Sequence, residues 1–141
     1  MSATQLAALA RTSDPRTMLR RFLALDAVVT GGNAVAYLAA SGPLGDLLGV
    51  DPDLLLAVGA FLALYAAAVG LLASRAHPAA LPVRVVVEAN LAWAVLSLLA
   101  LALWLSPSTT GAVWTVLQAF TVAGFAALQH MALKARQDTS S

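Results

Sequence analysis

Two acidic residues, Asp26 and Glu88, interrupt stretches that are otherwise apolar, and a carboxylate flanked by aliphatic residues is a candidate for handling a proton or a cation. Asp26 has company. Asp26, Thr30, Asn33 and Tyr37 are spaced by four, three and four residues, which sets them on one stripe of a helix with 3.6 residues per turn. Asn90, Trp93, Ser97 and Trp104 form a second stripe, and Trp114, Gln118, Thr121, Phe125 and Gln129 a third. Phe61, Tyr65 and Val69 offer only a largely apolar counterpart. Amide, hydroxyl and indole groups so arranged suit one of two tasks. They hydrogen-bond helices to one another, or they line a cavity that holds water, a lipid fragment or a small amphipathic ligand. The candidates for this polar seam are Asp26, Thr30, Asn33, Tyr37, Tyr65, Asn90, Trp93, Ser97, Gln118 and Thr121.

Glu88 calls for a different expectation. It follows Arg84 by one helical turn, so the two are expected to form a structural ion pair, and it points about 160° away from Asn90. Each carboxylate lies only a few residues past a boundary arginine, about 6–9 Å along a helix axis, which places both near a rim. Asp26, on its stripe, is the better candidate for carrying a proton. His77 precedes a proline and His130 falls near the end of an apolar run, and neither has a helical carboxylate or histidine partner, so no metal or haem ligation is expected. There is no cysteine, no nucleophile beside a base and no phosphate-binding glycine loop. No cofactor is expected, and enzymatic activity is disfavoured.

The elements that carry these stripes follow from composition. Of 141 residues, 60% are hydrophobic and 11% charged, and the formal net charge is +1. A soluble domain carries roughly a quarter charged residues, and a nucleic-acid partner would demand a basic patch, so both are excluded. A hydrocarbon core about 30 Å thick requires roughly 20 apolar residues per helix, a length the chain supplies four times over. Asp14-Pro15 and Asp51-Pro52 are helix-start signals, a cap residue followed by a proline. The expected spans are about 15–41, stopped by Ser41-Gly42-Pro43, then 52–75, 82–105 and 110–135, the last fading at Lys134, after a leader over about 1–14 and before a short tail. The fold class is therefore all-α: a single polytopic membrane domain, a four-transmembrane-helix antiparallel bundle.

Orientation follows from the basic residues, which favour the cytoplasmic side. Arg11, Arg16, Arg20 and Arg21 precede the first span, Arg75 and Arg84 flank the connection between the second and third, and Lys134 and Arg136 follow the fourth. The other loops hold Asp46, Asp51 and Asp53 but no Lys or Arg. Both termini are thus expected in the cytoplasm, with Trp104 and Trp114 as anchors at the outer interface. A cleaved signal peptide ending near Ala34-Val35-Ala36 is the competing interpretation; Asp26 within the apolar run speaks against it. Ala27 to Gly31, Gly32 to Ala36 and Ala66 to Gly70 are small-residue pairs that permit close helix approach. The first, third and fourth spans are expected to surround the seam, with the second contributing Tyr65 or lying more peripherally.

The run Asn90-Leu-Ala-Trp93, Ser97, Ser106-Pro107, Thr110-Gly111, Gln118-Ala119 and Leu128-Gln129, with the loop Leu48-Gly49-Val50-Asp51-Pro52, resembles small uncharacterised four-span integral membrane proteins of bacteria. Seven Arg against one Lys, with abundant Ala, Leu and Val, resembles actinobacterial usage. The resemblance implies a bacterial inner-membrane location and carries no activity to any residue. The expected function is that of a non-enzymatic small-ligand- or lipid-binding, assembly or accessory protein. Its partners would be the lipid bilayer and a membrane-protein partner or further copies of itself. The alternative is a small proton-coupled transporter or exporter subunit using Asp26; small multidrug exporters, which also have four short spans, place their glutamate deeper in the first helix.

Overall fold

A computed structural model describes residues 14–103 and 105–140, and its regular elements are all helices: α1 (Pro15–Ala39), α2 (Ser41–Leu48), α3 (Pro52–Ser74), α4 (Ala80–Leu103) and α5 (Thr109–Ser140). Trp104 and Arg11, assigned above to an interfacial anchor and to the basic leader, lie outside the described residues. Four of the helices, all but α2, are long and apolar enough to cross a membrane.

Helix starts follow the local chemistry. Pro15 and Pro52 occupy first-turn positions whose N–H groups would lack an intrahelical acceptor anyway, and the Asp51 carboxylate accepts from the Asp53 N–H at 2.9 Å. The expected stop at Ser41-Gly42-Pro43 is instead a restart. Ala40 leaves the helical region with φ −131° and ψ 35°, and α2 begins at the next residue. Pro43 is the third residue of α2, where a missing N–H removes no helical bond, so it permits the turn that it was expected to prevent. The left-handed Gly49 (φ 71°) then ends α2. At the far end, α5 continues well past the expected boundary at 135. Its 32 residues extend about 48 Å, more than a bilayer core requires, so its charged last turns stand beyond the hydrocarbon.

Small residues let α1 and α3 approach closely. A Cβ on Gly31 would stand 3.6 Å from the Ala66 Cβ, and one on Gly70 3.8 Å from the Ala27 Cβ. α3 is the principal neighbour of α1, so the more peripheral position considered for the second span is not the one it takes. α4 packs chiefly on α5, α5 also meets α1, and the backbones of α3 and α4 stay apart although the helices are consecutive, bridged by the Tyr65 and Phe61 side chains. The bundle therefore has an open side between α3 and α4.

The closed apolar core gathers around Leu19, Leu23, Val69, Val83, Ala126 and Leu133. The rim beside it is tied by arginines: Arg20 donates to the Ala73 carbonyl at 3.1 Å, Arg136 to the Pro78 carbonyl, and Arg16 to the His77 ring at 2.9 Å. At the other end, Ser108 joins α2 to α5. Its N–H and hydroxyl donate to the Leu48 and Leu47 carbonyls, while its Oγ accepts from the Gly111 N–H. Outward faces carry Val28, Leu64, Leu81 and Phe120, and Asp26, Asn90 and Gln129 face inward. Apolar outside and polar inside inverts the pattern of a soluble protein and marks a multi-pass membrane protein.

Candidate functional site: a buried carboxylate network beneath a lateral cleft

Asp26 is 1% exposed and is held by donors from three helices. The Thr30 hydroxyl, one turn on, donates to its Oδ1 at 3.0 Å, and the side-chain nitrogens of Asn90 and Gln129 donate to its Oδ2 at 2.8 and 2.9 Å. Asn90 also donates to the Gln129 Oε1 at 3.1 Å and accepts from the Tyr65 hydroxyl at 2.9 Å, which adds α3 to the network. The amide orientations are mutually determined. Turning Asn90 over would aim its oxygen at both the Asp26 Oδ2 and the Gln129 Oε1, setting three acceptors against one another. No cation stands among these partners. The carboxylate is held by neutral donors alone, and no buried side-chain nitrogen or oxygen among the described residues lacks a partner.

Beyond this network the seam opens. Trp93 donates its indole N–H to the Gln118 Oε1 at 2.9 Å, the Gln118 nitrogen turns to the Thr115 carbonyl, and Trp114 donates to the Tyr37 hydroxyl at 2.7 Å. Phe61 reaches from α3 to stack on Trp93 of α4 at 5.8 Å between centroids, and on Tyr65 at 6.1 Å. On the open side between α3 and α4 lies a cavity of about 250 Å³ bounded by Thr30, Phe61, Tyr65, Asn90 and Trp93. A second, of about 350 Å³ and bounded by Tyr37, Trp93, Ser97, Trp114 and Gln118, shares the Trp93 wall with it. The seam thus divides. Around Asp26 it is hydrogen-bonded packing, and around Trp93 it is space. Tyr65 and Thr30 border both parts: the Thr30 hydroxyl donates to Asp26, the Tyr65 hydroxyl reaches the Asn90 Oδ1 and the Val86 carbonyl, and both residues also line the first cavity.

The remaining expected residues fall as follows. Asn33 is half-buried and joins none of these bonds; Ser97 lines the second cavity. Thr121 is exposed and returns its hydroxyl to the Leu117 carbonyl of its own helix, so it does not face the seam. Arg84 and Glu88 are both exposed and form no ion pair with one another, contrary to the expectation for them. A basic residue one turn before an acidic one is the weaker order for such a pair, and water and headgroups compete at a rim. Gln129, fully buried, was not among the candidates although its stripe was recognised. It follows Gln118 by eleven residues, three helical turns, a spacing that puts both amides on one face.

No protein-family model, curated protein or solved structure matches this chain.

Proposed function

We propose that this chain is a non-enzymatic binding protein of a bacterial inner membrane that holds a small amphipathic molecule in the lateral cleft between α3 and α4. One observation carries the proposal: consecutive helices stand apart, and the gap between them is walled by aromatic rings and floored by the Tyr65 and Thr30 hydroxyls. Sites for small molecules combine mostly apolar walls with a few placed polar groups in this way. A ligand with a hydroxyl or N–H donor and an apolar body fits the hydroxyl lone pairs and the rings. The opening faces the hydrocarbon, so entry would be sideways from the bilayer.

The four spans run antiparallel in this proposal, supported by the pairing of Ala27 with Gly70, Gly31 with Ala66 and Tyr37 with Gly59. Both termini are cytoplasmic, supported by the basic residues gathered at the Arg20–Arg136 rim and the acidic residues of the loops opposite. The test is analysis of small molecules that co-purify in mild detergent. Wild type is expected to carry an amphipathic compound near one per chain, and Ala89→Phe, which fills the first cavity, is expected to lose it. Equal recovery from both would refute the cleft as the site.

A second function, a proton-coupled transporter or exporter subunit, draws on Asp26, a buried carboxylate with only neutral partners. Asp26→Asn in proteoliposomes would then abolish proton-linked substrate movement while the protein stays folded; unchanged flux would eliminate this function.

A further inference from the structure

Four ionisable side chains that the central network does not use converge on one groove. Arg84 and Glu88 of α4 and His130 and Lys134 of α5 line a groove of about 560 Å³ between these helices, on a different face from the α3–α4 cleft. The register follows from the Asn90–Gln129 hydrogen bond across the same two helices. Moving toward the start of α4 and the end of α5, Glu88 comes level with His130, and one turn further out Arg84 comes level with Lys134. All four are exposed, and neither Arg84 nor Lys134 forms an ion pair with Glu88. Deeper in the groove stands Leu91, 46% exposed, beside the buried Val87 and Leu133.

The depth is that of lipid headgroups. Arg84 is the fifth residue of α4, next to the rim that Arg20 and Arg136 tie together, and Leu91 lies two turns further in, where hydrocarbon begins. Basic pockets between spanning helices at this level recognise lipid phosphates. Here a carboxylate shares the pocket with the cations. Two fixed cations and one carboxylate complement a zwitterion whose phosphate and primary ammonium are joined by two carbons. An anionic glycerol headgroup would leave Glu88 without a charge partner, and a quaternary ammonium would offer it no N–H. Free phosphate would use neither Glu88 nor Leu91.

We infer that the α4–α5 groove binds the headgroup of an aminophospholipid, with the phosphate between Arg84 and Lys134, the two-carbon arm folded back inward by one helical turn so that its ammonium meets Glu88, and an acyl chain passing from the phosphate side along Leu91. The site does not depend on the cleft between α3 and α4. It is tested by native mass spectrometry of the full chain in micelles, titrated in turn with phosphatidylethanolamine, phosphatidylglycerol and phosphatidylcholine. Phosphatidylethanolamine is expected to be retained best. Arg84→Ala and Lys134→Ala should each lower its retention about fivefold, and Glu88→Gln should reduce it to the level of phosphatidylglycerol. These side chains are exposed, so circular dichroism should be unchanged in all three variants. Equal retention of phosphatidylcholine, a wild-type preference for phosphatidylglycerol, or displacement of the lipid by millimolar inorganic phosphate would each overturn the inference.

Discussion

The Asn90 side-chain nitrogen stands 2.8 Å from the Asp26 carboxylate across 64 residues of chain, and the same nitrogen reaches the Gln129 carbonyl oxygen at 3.1 Å. One amide therefore fastens α1 and α5 to α4 at a single depth, and Asp26 is as much a structural hub as a candidate proton carrier.

Asp26→Asn should fold. Its carbonyl oxygen can take the place of Oδ2 beneath Asn90 and Gln129, and its nitrogen can donate to Thr30, whose hydroxyl then turns to the helix backbone. Asp26→Leu strands the Asn90 and Gln129 donors. At about 0.6 kcal/mol per interhelical bond it should cost about 1 kcal/mol, read as a lower midpoint of thermal unfolding in micelles. Equal midpoints for the two variants would contradict the network.

Gly111 and Gly124 should respond oppositely to alanine. A Cβ on Gly111 would overlap the Leu48 carbonyl and stand 2.8 Å from the Pro107 Cβ, where α2 closes on α5, whereas nothing lies within 4 Å of one on Gly124. Gly111→Ala is expected to lose about 1–3 kcal/mol. Gly124→Ala should gain up to about 1 kcal/mol from helix propensity. Unfolding curves of the pair, collected in one detergent, compare them directly.

Along the α1–α3 contact, Gly59→Ala should be the damaging substitution and Gly31→Ala the tolerated one. At Gly59 a Cβ would come within 3.0 Å of Leu38 and 3.1 Å of Tyr37; at Gly31 it meets Ala66 at an ordinary 3.6 Å. The expected ranking, measured as the fraction surviving heating as monodisperse protein, reverses if the helices approach elsewhere.

Asp14, just ahead of α1, is held below the usual aspartate range, chiefly by the Thr17 hydroxyl that donates to it at 2.6 Å. A carboxyl depressed in the folded state stabilises that state above its unfolded value, and the contribution disappears as pH falls through the folded value. Amide protection factors at Arg16 to Met18, corrected for the intrinsic pH dependence of exchange, should therefore fall only on the acid side of the ordinary aspartate range. Thr17→Val should move that onset to higher pH, and an onset that did not shift would remove Thr17 as the cause.

Much of the architecture was legible beforehand because hydrocarbon imposes it. Four apolar runs of sufficient length, opened by Asp14-Pro15 and Asp51-Pro52, could only be long helices, and the spacing of Asp26, Thr30 and Tyr37 showed one inward face. Local signals misled where position within a helix matters more than residue type. Pro43 is expected to break a helix but sits in a first turn, and Lys134 is expected to end one but lies within α5, which continues to Ser140. Thr121 shared a stripe with Gln118 and Gln129 yet faces outward, because a hydroxyl satisfied by its own backbone can tolerate lipid, whereas a primary amide cannot.

Periodicity along one chain therefore determined the spans, their polar stripes and the division of charge between the two ends. It could not determine which stripes meet, since that depends on how closely each pair of helices approaches. Tertiary packing decided this: Gly31, Gly59 and Gly70 draw α3 onto α1, Asn90 draws α4 toward α1 and α5, and the space left between α3 and α4 becomes the cleft. Helix stripes repeat every few residues, but the fit between two helix surfaces arises only once both are in place.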